Sequence, residues 1–142
     1  MKQANSMTRQ NRRLWIIVNY LSVFFMLSLF YIGKYYNWPV LVIVFEVASI
    51  LLLIFSFIKV FIKTHLWKMS HTSDKNLDER QLQVMLNSLK YAYSAFTIIV
   101  LVIIYGFAIA EQGPIDIKIA ACLLYMAHTL PIAIVGWIEK II

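Results

Sequence analysis

Apolar residues in this chain gather into four long runs, at residues 14–32, 39–58, 91–110 and 117–138, with almost no charge inside them. Each is long enough to cross a hydrocarbon core about 30 Å thick, which takes roughly 20 helical residues. In lipid the backbone must satisfy its own hydrogen bonds, so only helices and closed barrels cross, and these runs lack the alternation of barrel strands. The pattern therefore predicts an all-α membrane protein of four transmembrane helices, read as one four-helix domain over residues 1–142. Gly33 closes the first run, Trp38-Pro39 opens the second where a missing N–H does no harm, and Gly113-Pro114 separates the third from the fourth.

Composition narrows this further. Of 142 residues, 61% are hydrophobic and only 14% charged, too few charges to keep a water-facing surface free of large apolar patches. Aromatics at 15% exclude a disordered chain, and the lone Cys122 excludes an internal disulfide framework. The first run is longer than a signal-peptide core and lacks a small-residue cleavage site after it, so it is read as a retained helix. Trp15, Tyr31, Tyr35, Tyr36, Trp38, Trp67 and Trp137 fall near the expected water interfaces and read as membrane anchors.

Charge sets an expected orientation. Eleven basic residues flank the runs on one side (the N-terminal segment, residues 59–90 and Lys140), and only Lys34 and Lys118 flank them on the other. The positive-inside bias puts both termini and the middle segment in the cytoplasm, against anionic lipid heads. The net charge of +6 then needs no nucleic acid to explain it.

The 59–90 segment is expected to form a cytoplasmic helical extension. Lys59, Lys63, Thr64, Trp67 and Lys68 read as a continuation of the second helix, with lysines reaching up to phosphates. Asn76 followed by Glu79 resembles a capping box, after which Leu82, Met85, Leu86, Leu89 and Tyr93 recur at helical spacing. With no Gly or Pro before the third run, one helix over 77–110 is predicted, about 51 Å long, more than the membrane core holds.

The run Leu77-Asp78-Glu79-Arg80-Gln81, leading into Asn87-Ser88-Leu89-Lys90-Tyr91-Ala92-Tyr93-Ser94, resembles small bacterial multi-pass membrane proteins with an Asp-Glu-Arg-Gln or Asp-Glu-Arg-Glu motif before a transmembrane helix. The resemblance covers about 35 residues and implies a bacterial inner-membrane protein without implying an activity. Capping and dipole energetics alone can account for Asp78-Glu79-Arg80. The alternative is a docking face of Asp78, Glu79, Arg80, Gln83 and Asn87, presented to a partner or to a second copy.

Inside the runs, Glu46 stands out, about 10 Å below the outer end of its helix by a 1.5 Å rise. An acid at that depth is either a proton or ion site or a hydrogen-bonded structural group packed against Ser49. His128 is a possible counterpart, or else a structural histidine near the backbone carbonyl that Pro131 frees. Asn19, Ser22, Ser28, Ser49, Ser94 and Thr97 read as interhelical hydrogen-bonding groups.

No nucleophile–base pair, phosphate loop or ligand spacing is evident. His65, His71, Asp74 and Asp78 have no zinc-site spacing. No catalytic residue, metal or cofactor is expected. The leading expectation is an accessory, regulatory or protective protein that binds another membrane protein or itself. The alternative is a small proton- or ion-coupled transporter built on Glu46.

Overall fold

The computed structural model describes residues 7–71, 78–110 and 113–138, and no strand occurs among them. The helices are α1 (Arg9–Tyr35), α2 (Val40–Phe57), α3 (Leu66–Ser70), α4 (Glu79–Ile109) and α5 (Ile117–Ile138), with a π-helical segment Ile58–Ile62 following α2. Among the described residues four helical stretches are long and apolar enough to cross a membrane: α1, α2 with its π extension, α4 and α5. In the most apolar windows of the second and third of these, only 11% and 6% of residues are buried, so the chain itself leaves most of their surface uncovered. Lys2, Asp74, Lys75, Asn76, Leu77 and Lys140 lie outside the described residues.

The chain divides into two compact units, residues 1–67 with 139–142, and residues 68–138. In the first, α1 packs against α2 and the π segment. The turn between them holds Asn37 and Trp38 at φ of 55° and 56°, a left-handed backbone rare for so bulky a residue as Trp38. The Trp38 N–H donates to the Gly33 carbonyl at 2.8 Å. Its ring meets Phe30 at 5.2 Å between centroids. A Cβ on Gly33 would lie 2.7 Å from Trp38 Cε3, so that position must be glycine for the ring to close over α1. Gly33 therefore does not end the helix, as its place in the sequence suggested; α1 runs to Tyr35.

Beyond α2 the sequence predicts an unbroken helix through Lys68, and the structure differs. The Lys63 N–H donates to the Ile58 carbonyl, five residues back, at 2.9 Å. His65 then takes φ of 59°, which interrupts the helix before the short α3.

In the second unit α4 packs against α5. Helix α4 is continuous for 31 residues, close to the predicted 77–110 helix. Its cap is Asp78, two residues after the expected Asn76: an Asp78 carboxylate oxygen accepts from the Glu79 N–H at 2.9 Å, and Gln81 Oε1 accepts from the Asp78 N–H at 3.3 Å. The box forms on Asp78 and Gln81, with the Gln81 N–H also reaching the Asp78 side chain. Asp116 opens α5, its carboxylate accepting from the Lys118 N–H at 3.2 Å, and Pro131 lies inside that helix.

Candidate functional site

Polar groups within the spanning helices are the first candidates. Asn19, fully buried on α1, donates through Nδ2 to Ser56 Oγ on α2 at 2.9 Å. Ser56 Oγ in turn donates to its own Leu53 carbonyl at 2.9 Å, so the serine hydroxyl acts as both acceptor and donor. Such a bond between helices in lipid contributes about 0.6–2 kcal/mol. Ser56 was not among the polar residues singled out from the sequence. The signal for it is hairpin symmetry: Asn19 lies 18 residues before Asn37, and Ser56 lies 18 after Trp38.

The hydroxyls expected to join helices do something else. Ser22, Ser28, Ser94 and Thr97 donate to carbonyls four residues back in their own helices, at 2.7, 2.9, 3.0 and 2.8 Å. Ser49 donates to the Glu46 main-chain carbonyl at 2.8 Å. In lipid a hydroxyl can bond its own helix without breaking the backbone ladder, because a carbonyl oxygen has a second lone pair.

Glu46 is half-buried in the first unit, with its Oε2 atom buried. His128 belongs to the second unit. Within that unit its ring meets the ring of His71, with centroids 5.5 Å apart and planes at 51°. This neighbour was not foreseen, because His71 and His128 are 57 positions apart in sequence. Two imidazoles can hold a metal ion only with help from further ligands. Among the described residues no group of three or more His, Cys, Asp and Glu side chains gathers.

The polar stripe of α4 is laid out as a continuous surface. Asp78, Glu79, Arg80, Gln83 and Asn87 are all exposed. At roughly 100° per residue, Glu79, Gln83 and Asn87 fall in line with Arg80 beside them. The helix buries Ser88 and Ala92, four residues apart on the opposite side, where small side chains let α5 come close. The apolar stripe read from the sequence only partly meets this packing face: Leu82 and Met85 are half-buried, whereas Leu86, Leu89 and Tyr93 are 58%, 46% and 75% exposed. The three exposed residues lie between the polar stripe and the face that meets α5, so the first turns of α4 present adjoining polar and apolar strips.

At the end of the first unit where α1 begins, Lys59 Nζ lies 3.9 Å from the centroid of the Trp15 ring. Trp15 is in turn edge-on to Phe55 at 5.4 Å. The lysine expected to reach for phosphates is thus held in place by an aromatic surface. No protein-family model, curated protein or solved structure matches this chain.

Proposed function

We propose that this is an integral membrane protein of the bacterial inner membrane that binds a partner, acting as an accessory, regulatory or protective subunit and carrying out no chemistry of its own. Both termini and the α2–α4 connection face the cytoplasm, as the eleven-to-two distribution of basic residues favours. The supporting observation is α4. Its 31 residues extend about 46 Å at 1.5 Å per residue, against a core of about 30 Å. The surplus is its N-terminal portion, which carries the exposed Asp78–Asn87 polar stripe beside exposed Leu86 and Leu89. A stiff helix with a charged strip next to an apolar strip suits docking to another membrane protein or to a second copy. Affinity isolation in mild detergent tests it: Glu79→Ala with Arg80→Ala removes the co-purified partner while the protein still inserts. Unchanged recovery excludes the stripe as the docking face.

A second reading, a small proton- or ion-coupled transporter, is favoured by Glu46, an acid within a span with one carboxylate oxygen buried. Under that reading Glu46→Gln abolishes proton-coupled flux in proteoliposomes, and undiminished flux rules it out.

A further inference from the structure

The chain has three histidines, and two of them meet. His65 lies in the first unit, whereas His71, just after α3, and His128, the twelfth of the 22 residues of α5, share the second. Both side chains of the pair are exposed, and their ring centres are 5.5 Å apart with planes at 51°. Attraction between the rings accounts poorly for this. The tilt falls between the stacked and edge-to-face arrangements that aromatic pairs prefer. An ionisable side chain within a span is also costly unless it has a use, and here a second one is brought to it.

A shared ligand accounts for the pair better. A neutral imidazole carries one free lone pair, and that lone pair lies in the plane of its ring. A metal ion about 2.0–2.1 Å from one nitrogen of each of two imidazoles sets their ring centres roughly 5–6 Å apart. The observed separation falls in that range. Both histidines also make other interactions. A metal-bound imidazole normally uses its second nitrogen for such a contact, which orients the ring and leaves the first nitrogen to the metal.

We infer that His71 and His128 form a two-histidine site for a divalent transition metal ion of the zinc, nickel or copper class. Imidazole suits these ions, whereas magnesium and calcium take oxygen ligands. Among the described residues no third His, Cys, Asp or Glu side chain joins the pair, so water completes the coordination. The site is therefore open and exchangeable, unlike the closed four-ligand sites of structural zinc, and copper binds it more tightly than zinc. His71 lies seven residues before Asp78, the cap of α4, so a bound ion ties the chain that enters α4 to α5. None of this depends on the docking proposal.

The full-length protein, without a polyhistidine tag and in a non-ionic detergent, is dialysed against zinc, copper or magnesium, and bound metal is counted by mass spectrometry. One zinc or copper ion per chain is expected, and no magnesium. His71→Gln and His128→Gln should each weaken binding by at least about tenfold, while His65→Gln, in the other unit, leaves it unchanged. Electron paramagnetic resonance of the copper-loaded unaltered protein should show two imidazole nitrogens on the metal. Binding that survives His71→Gln or His128→Gln overturns the site, as does a spectrum with one nitrogen or none. Equal loss in His65→Gln shows general surface binding and overturns it too, and magnesium retained as well as zinc overturns the assigned metal class. The spectrum needs no variant, so it decides even if a substituted protein fails to fold.

Discussion

Asn19 and Ser56 are joined across the α1–α2 hairpin by a 2.9 Å hydrogen bond between two fully buried side chains, each 18 residues from the central pair of the connecting turn. Because the amide has no water to turn to at that depth, the bond fixes the register of the two helices. Asn19→Leu and Ser56→Ala should each reduce stability by about 1 kcal/mol. The double variant should cost little more than either alone, because both remove the same bond. Unfolding in mixed micelles measures all four forms, and additive losses would show that the two side chains act independently.

Gly33 and Trp38 depend on one another in the same way. Gly33→Ala drives a Cβ to within 2.7 Å of the indole unless the ring moves, and the left-handed backbone of Trp38 leaves it little freedom to do so. A loss of about 1–3 kcal/mol is expected. In a Trp38→Ala background Gly33→Ala should be close to neutral, and this double-mutant comparison is the check.

The α4 cap should act locally. Asp78→Ala removes the acceptor for the Glu79 N–H and should cost about 1 kcal/mol. Hydrogen exchange should show faster exchange of the first-turn amides, Glu79 to Leu82, with the spanning part of α4 unchanged. Asp78→Asn should retain most of the protection.

The two apolar sides of α4 should respond differently. Ala92→Leu pushes a branched side chain into the buried contact beside α5 and should destabilise the second unit by about 1–3 kcal/mol. Leu86→Ala and Leu89→Ala, at exposed positions, should leave stability within about 0.5 kcal/mol. Under the docking proposal they should nonetheless lower partner recovery. Detergent unfolding and affinity isolation separate the two effects.

These residues also show what could and could not be read from the sequence. The four spans and their connections were legible because apolar runs of that length, broken by Trp38-Pro39 and Gly113-Pro114, have few other solutions. The continuity of α4 followed from the absence of any breaker before Gly106. The packing face of α4 did not follow. Within lipid, neighbouring helices gain nothing from Leu against Leu that lipid does not also supply, so the buried contact falls on Ser88 and Ala92 while Leu86, Leu89 and Tyr93 of the apolar stripe stay exposed. The hydroxyls of Ser22, Ser94 and Thr97 were assigned to neighbouring helices because polarity alone does not distinguish a partner helix from a residue's own carbonyls. The π segment and the left-handed His65 leave no mark in the sequence Ile58-Lys59-Val60-Phe61-Ile62, which suits an ordinary helix equally well. The site residues Glu46 and His128 were visible as rare polar residues, but the ring contact between His128 and His71 depends on a chain path that no local pattern encodes.

The central claim is that α4 is one helix that crosses the membrane and carries its first three turns into the cytoplasm. Single cysteines at Gln83, Asn87, Ile98 and Ala110, each in a Cys122→Ser background, can be labelled with a membrane-impermeant maleimide from either side. The account predicts that Gln83→Cys and Asn87→Cys react in inside-out vesicles and not in intact spheroplasts. Ile98→Cys should react in neither, and Ala110→Cys only in spheroplasts. Protection of Asn87→Cys from both sides, or its labelling in spheroplasts, would contradict it.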